Sequence, residues 1–253
     1  MKVDKKIWRT AKLVGLLLFV VGGIVLAEYQ YRNIDCKQVK IKLEEDVENV
    51  FLTEENIIHN IRDLYNDDEL KGKLIHIDAE RMESKLKNNI FVKDAEILKT
   101  HKGQLLVSLS QEVPVFRLMT EKQSCYISEG LVRLPLSAEH SARLMMVRCK
   151  DSDSLFVKNP KNSRFEKKFL SLVAYINQDE FLKAQLCAAW IDVNKELTFY
   201  PQVTSSIIAF GKNENYKDKF ERIKIFYNQI LPRKGWNSYK KVSVKFNNQI
   251  VCE

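Results

Sequence analysis

Four histidines (His59, His76, His101, His140) and five cysteines (Cys36, Cys125, Cys149, Cys187, Cys252) are the side chains here that can ligate a metal, shuttle a proton or act as nucleophiles near neutral pH. Their spacing does not assemble such a site. No two histidines stand four residues apart, HExxH is absent, and no cysteine pair has CxxC or CxxxC spacing, so helical zinc ligation and a thioredoxin-like centre have no basis. GxSxG, the P-loop and GxGxxG are missing as well. His59 reads as a polar-face helix residue and His76 as a strand-edge residue. The carboxylate pairs Asp67-Asp68 and Asp179-Glu180 fall in expected loops or caps, where solvation explains them better than acid–base catalysis. The expectation is a protein that is no enzyme and carries no metal or cofactor. Five thiols cannot all pair; a Cys125–Cys149 bridge can form in an oxidising compartment, and buried or free thiols are the simpler reading.

Recognition chemistry is more legible. Val242, Val244 and Phe246 alternate with Lys241, Ser243 and Lys245, and the β-prone run continues through Gln249-Ile250-Val251-Cys252. At a sheet edge such a run offers unpaired N–H and C=O groups to an extended segment of a partner. As an internal strand it would simply complete the sheet, and the pattern alone leaves both readings open.

The elements that must position this strand begin at a membrane. Lys2, Lys5, Lys6, Arg9 and Lys12 against Asp4 give the first twelve residues +4 of the total +8. An uncharged apolar stretch, Leu13 to Ala27, follows. Leu13, Leu16, Phe19, Val20, Ile24 and Leu26 form its body, between Trp8 and Tyr29/Tyr31, the aromatic pair expected at membrane interfaces. Trp8 to Tyr29 as a helix covers about 31 Å. A cleaved signal ending at Val25-Leu26-Ala27 is the competing reading; the flanking aromatics and the snorkelling reach of Lys12 favour a retained anchor. Basic residues beside a span stay in the cytoplasm, which puts residues 28 to 253 outside it, away from ATP, NAD and most nucleic acid. The expected divisions are a cytoplasmic head 1–12, an anchor 13–31, a small domain 36–113 and a β domain 114–253. At 45% hydrophobic and 29% charged, the chain has globular composition, with no linker rich in Gly, Ser or Pro. Its cations are spread, without the clustering and aromatic interleaving of a nucleic-acid surface.

Periodicity predicts the following order. Lys40 to Leu43 alternates as a strand. Thr53 caps a helix carrying Ile57, Ile58, Ile61, Leu64 and Tyr65, followed by an Asn66-Asp67-Asp68-Glu69 loop. Asp78 caps a second helix with Ala79, Met82 and Leu86, stopped at Asn88-Asn89, where asparagine suits the left-handed conformation. Strands follow at Phe91–Thr100, with Phe91, Ala95 and Ile97 on one face, and at Leu105, Val107 and Leu109. This β-α-α-β-β order predicts a small sheet covered by two helices. Later come a hairpin around Ser128-Glu129-Gly130, a strand within Arg143–Arg148, a helix over Phe165–Phe181, three strands between Cys187 and Phe210, and a helix Tyr216–Ile230 ended by Pro232 and Gly235. The fold class is α+β.

This order resembles the FtsQ/DivIB cell-division family. Phe51-Leu52-Thr53-Glu54-Glu55-Asn56-Ile57, Gly72-Lys73-Leu74-Ile75-His76-Ile77-Asp78 and Asn89-Ile90-Phe91-Val92-Lys93-Asp94-Ala95-Glu96 look like its POTRA module. Gln111 to Arg117 resembles the junction into the family's β domain, and Tyr126 to Ser137 the hairpin that follows. The tail from Val242 to Cys252 is similar to that of the Bacteroidetes-type members. Beyond residue 140 the match lies mainly in element order. The resemblance implies a non-enzymatic, bitopic inner-membrane scaffold at the division septum, with its C-terminal domains in the periplasm. It also implies divisome partners (FtsB, FtsL and, indirectly, FtsW/FtsI-type synthases) and neither nucleic acid nor small-molecule substrate. By position, Val242, Val244, Phe246, Asn248 and Ile250 surround the partner strand, braced by Tyr239 and the 216–230 helix, and Val244→Pro is expected to abolish capture. The rival classes are a POTRA-containing envelope assembly or secretion factor and an exported hydrolase; a second module, a lipid-facing barrel or a nucleophile–base constellation would favour them, and none is legible.

Overall fold

The computed structural model describes residues 5–43, 51–65, 70–120, 124–137, 141–149, 155–156 and 163–253. The expected Asn66–Glu69 loop, His140, and Lys2 and Asp4 of the basic head lie outside them. The chain divides into two compact units, Met1–Asp46 with Leu52–Gln111, and Val47–Phe51 with Glu112–Glu253.

The first unit opens with helix α1, Lys5–Arg32. Its segment Lys12–Arg32 has mean hydropathy 2.0 and is 0% buried. Leu13, Leu16, Phe19, Val20, Ile24 and Leu26 are all exposed, so the apolar side chains find no protein core. An apolar stretch exposed on every side, as Leu13 to Leu26 is here, is suited to lipid. Lys12 Nζ sits 3.6 Å from the Trp8 ring centroid, a cation–π contact at the basic end. The helix stops where Asn33 Nδ2 donates to the Tyr29 carbonyl at 3.1 Å.

Three strands follow in the order β1-β3-β2: β1 Gln38–Leu43, β2 Val92–Lys99 and β3 Gln104–Gln111. β3 is central, parallel to β1 and antiparallel to β2. Helices α2 (Glu54–Arg62) and α3 (Ala79–Lys87) share its core, with Ile57, Ile61, Met82 and Leu86 buried among Leu105, Val107 and Leu109. Their starts follow from the sequence: Thr53 Oγ1 accepts from Asn56 N–H at 3.3 Å, and Asp78 Oδ1 from Arg81 N–H at 3.0 Å. Two local expectations are corrected. Asn88 ends α3 with φ −72°, not in the left-handed region; Asn89 instead accepts the Phe91 N–H on its side chain at 3.0 Å. Phe91 precedes the strand, and a bulge between Val92 and Asp94 turns Val92 inward in its place, because one inserted residue inverts the alternation.

Among its described residues the second unit holds a nine-stranded mixed sheet in the order β12-β11-β10-β9-β8-β7-β4-β5-β6. Its strands are β4 Pro114–Met119, β5 Ser124–Ser128, β6 Arg133–Leu134, β7 Met146–Cys149, β8 Leu186–Ile191, β9 Leu197–Pro201, β10 Ile207–Gly211, β11 Lys241–Ser243 and β12 Val251–Cys252. Period-two pairs (Phe116/Leu118, Val147/Cys149, Leu197/Phe199, Ile208/Phe210, Val242/Val244) meet the buried faces of helices α4 (Ser163–Gln178), α5 (Glu180–Gln185) and α6 (Tyr216–Ile225) in one core. The expected 165–181 helix is broken at Asp179, whose carboxylate caps α5 by accepting from Leu182 N–H at 3.0 Å.

Pro232 does not end the second predicted helix. A π-helical turn over Phe226–Ile230 leads into a last turn, α7 Leu231–Lys234, and Gly235 with φ +99° makes the stop. A regular helix would drive the proline ring into the carbonyl of Asn228 four residues back, and the wider turn relieves that clash.

Candidate functional site

The C-terminal run is a hairpin rather than one long strand. β11 lies inside the sheet, parallel to β10 through Ile208↔Val242 and antiparallel to β12 through Val242↔Cys252. Val242 and Val244 are fully buried, and Val244 N–H donates to the Ala209 carbonyl at 3.1 Å. Phe246 is 58% exposed at the turn, and Asn248 adopts φ +56°, a left-handed conformation that asparagine tolerates. Ile250 is half-buried against the core. Of the five residues singled out by position, two are core, two are at the exposed turn and one lines the base of β12. The Asn247-Asn248 pair between two β-prone runs was the available signal for the turn.

One buried side chain holds this hairpin. Arg222, on α6, donates from Nη1 to the carbonyls of Phe246 at 2.5 Å and Gln249 at 2.6 Å. Its Nε and Nη2 reach Asp218 Oδ2 at 3.2 and 2.9 Å. Nη1 alone thus holds both sides of the turn, while the other two nitrogens of the planar group hold Asp218, a combination a lysine's single ammonium does not reproduce. Arg222 had the spacing of an ordinary surface arginine, so sequence reading did not find it. At the base, Lys240 and Lys241 N–H donate to the Glu253 carbonyl at 2.7 and 3.1 Å, Glu253 N–H returns to Lys241 at 2.9 Å, and Lys241 Nζ pairs with Glu253 at 3.1 Å. Beside the turn, Lys245 pairs with Glu196 at 2.5 Å and lies across Gly211, whose φ is +77° and where a Cβ would meet Lys245 Cγ at 2.9 Å. Lys219 is buried beneath this corner, donating to the carbonyls of Phe210 and Lys212 at 3.1 and 2.7 Å; burial pulls its ammonium below the ordinary lysine range.

The ladder also fixes which groups of β12 face outward. Glu253 exchanges both bonds with Lys241, so antiparallel alternation directs the N–H and C=O of Cys252 away from β11, toward the open side. The Cys252 thiol is pushed above its ordinary value by burial.

Elsewhere the exposed edges differ. At the far end of the same sheet β6 has two residues. β2, with eight, has its outward donors occupied: Ala95 N–H is taken by Asp94 Oδ1 at 3.0 Å and Ile97 N–H by Glu83 Oε1 at 2.8 Å. Lys87 holds Asp94 at 2.8 Å and, chiefly by that bond, keeps its carboxyl below the usual range. Carboxylates on an edge strand exclude a further strand, a standard protection against sheet-to-sheet association.

The remaining chemistry-bearing residues are scattered. His59 pairs with Asp63 at 3.3 Å on α2, His76 closes the 3₁₀ turn Leu74–His76 rather than a strand edge, and His101 packs against Tyr31. No disulfide joins any of the five cysteines. Cys125 and Cys149 stand on β5 and β7, on opposite sides of β4. Two strand spacings separate them by about 9.5 Å, beyond the roughly 7 Å that a disulfide tolerates between Cα atoms.

Comparison with known proteins gives two family-model matches. The model described as FtsQ/DivIB, C-terminal related, matches residues 113–253, more than half of the chain. The chain belongs to the FtsQ/DivIB family. A POTRA-like domain model matches residues 34–110, the β-α-α-β-β module built on β1, β2 and β3. A search of curated proteins finds no match. As a member of a non-catalytic division scaffold family, this FtsQ/DivIB chain is a cell-division protein. Among its described residues α1 is the one helix long and apolar enough to span a membrane, and with family membership it marks a single-pass membrane protein.

Proposed function

We propose that this FtsQ/DivIB protein is a bitopic divisome scaffold that captures an extended segment of FtsB/FtsL-type partners by strand addition on β12. In this reading α1 is a retained anchor, the +4 head stays in the cytoplasm, and both folded units stand in the periplasm, concentrated at the septum. The single observation that carries it is the end of the nine-stranded sheet: β12 is its last strand, and Cys252 turns its N–H and C=O to the open side. A partner strand there gains main-chain bonds, with Phe246 and Ile250 available for side-chain contact. Val242, Val244, Tyr239 and the π-kinked helix act from behind, holding β11 and the turn in place; Tyr239 contributes its carbonyl to Ser206 Oγ at 2.5 Å.

Because β12 has two residues, the edge by itself supplies few bonds. Affinity therefore depends on the Arg222-held turn presenting β12 without fraying. Cell biology tests the role: a functional N-terminal fluorescent fusion at native level should form a mid-cell band in constricting cells. An even envelope signal would favour the assembly-factor class, and a diffuse cytoplasmic tag would overturn the anchor.

A further inference from the structure

The anchor helix runs into the small domain without a linker. Asn33 is the first residue after α1, and Lys73 Nζ already donates to its Oδ1 at 2.7 Å. Main-chain bonds hold the residues that follow: Leu74 N–H donates to the Ile34 carbonyl at 2.9 Å, Cys36 N–H to the Gly72 carbonyl at 2.8 Å, and Lys37 N–H to the Gly103 carbonyl at 2.7 Å. Gly103 presses on this stretch so closely that a Cβ would stand 2.6 Å from the Asp35 carbonyl oxygen. Two turns of the small domain, one around Lys73 and one at 100–103, thus grip residues 33–37. His101, in the second turn, reaches back to α1 itself, where its ring meets that of Tyr31 edge to face at 5.6 Å.

These contacts fix depth. A helix from Trp8 to Tyr29 matches a hydrocarbon core of about 30 Å, and the headgroup layer outside that core is about 5–7 Å thick. At about 1.5 Å per residue, Tyr31 stands about 3 Å beyond Tyr29 and Asn33 about 6 Å beyond, both within that layer. The side chains that touch them, His101 and Lys73, stand in it as well. His101, Lys102 and Lys73 are all exposed. An ammonium has three donors, so Lys73 keeps two after Asn33 is served. Donors and cations at this depth are surrounded by phosphate oxygens, which accept charge-assisted hydrogen bonds. Of the nearby carboxylates, Glu28 is held by Arg32 at 3.0 Å and Asp35 is exposed, while Asp67, Asp68 and Glu69 lie outside the described residues. The placement follows from depth and does not depend on net charge.

We infer that this junction seats the small domain on the membrane, with Lys73 and the 100–103 turn in the headgroup layer and His101, Lys102 and Lys73 donating to phospholipid phosphates. The seat rests on the reading of α1 as a membrane span, and the experiment separates the two. It is distinct from β12 and from the turn that Arg222 holds.

The test uses the full-length protein in vesicles of phosphatidylethanolamine and phosphatidylglycerol that include a lipid with a nitroxide on its headgroup. In a Cys187→Ser/Cys252→Ser background, which leaves only the buried Cys36, Cys125 and Cys149, a fluorophore is attached through Lys102→Cys or through Lys93→Cys. Lys93 is exposed on β2, at the end of the strand away from the 100–103 turn. Quenching should be at least about twofold stronger at position 102 than at 93, since about 20 Å of strand separates them. Equal quenching at both positions, in protein that floats with the vesicles, overturns the seat and leaves the anchor standing; protein that does not float overturns both. The phosphate contact is read in maltoside micelles, where melting temperature should rise saturably with added phosphatidylglycerol and not with diacylglycerol, which has the same chains and no phosphate. Lys73→Gln/Lys102→Gln, a change of two exposed side chains, should raise the half-saturating lipid content about tenfold. No rise, a rise that diacylglycerol reproduces, or one unchanged in the double variant overturns the phosphate contact.

Discussion

Replacing the buried Arg222 with methionine should loosen the C-terminal hairpin more than any single change on the exposed face of α6. The variant loses the bonds to the Phe246 and Gln249 carbonyls, at 2.5 and 2.6 Å. A hydrogen bond from a charged donor contributes about 1.5–3 kcal/mol, so the gross loss is about 3–6 kcal/mol. Against it stands the relief of keeping a guanidinium at 9% side-chain exposure, and methionine fills much of the volume. A net loss of about 3 kcal/mol follows, equivalent to a fall of roughly 6–12 °C in melting temperature. Arg222→Lys keeps a charged donor for the turn but lacks the planar group that also holds Asp218, and should fall by about half as much. Asp218→Asn removes only the 56% exposed partner and should change stability by less than about 1 kcal/mol. Urea unfolding of the full chain in micelles, with far-ultraviolet circular dichroism, reads all three. An Arg222→Met variant within about 0.5 kcal/mol of wild type, below the usual effect of a buried change, would refute the clamp.

Three further predictions concern separate parts of the molecule. Cys252→Pro removes an outward donor of β12 while sparing the bonds of β11 to Glu253; partner pull-down should drop at least about tenfold with melting changed little, whereas Val244→Pro would break the Ala209 bond inside the core and lose the fold instead. Glu166 is 1% exposed and accepts the Phe156 N–H at 2.6 Å; burial raises its carboxyl above the ordinary 4.5 despite that bond. A raised folded-state value contributes stability that is present below pH 4.5 and lost as pH rises through it, so Glu166→Gln should flatten the decline of stability from acid toward neutral pH, staying within about 1 kcal/mol of wild type in denaturant titrations at neutrality. Phe19→Lys puts a charge mid-way along α1 and should make insertion about 3 kcal/mol less favourable, read as protein lost from carbonate-washed membranes.

What the sequence made legible was short-range. Thr53 and Asp78 act on donors three residues on, and Ile57/Ile61 and Met82/Leu86 sit one turn apart, so caps and buried faces could be read without a fold. Misreadings arose where one residue changes a register or a distant group intervenes. Phe91 lost its place to Val92 through a bulge, and Phe246 looked like the next inward residue after Val244 until the Asn248 turn reversed the chain. The order of the nine strands was hidden, since β4 has β5 on one side and β7, far along the chain, on the other. The mechanical support of the C-terminal hairpin was not legible: Arg222 reaches carbonyls 24 and 27 residues away, and no local pattern encodes that.

The amide of Cys252 reports directly on strand capture at β12. Hydrogen exchange should be measured residue by residue on the full-length protein, alone and with a periplasmic FtsB-type segment. Fast exchange is expected at Cys252 in the free protein and strong protection in the complex, with little change at Ala95 and Ile97, whose donors are already taken. A complex that forms while Cys252 continues to exchange freely, with protection at β1 or β6 instead, would contradict it.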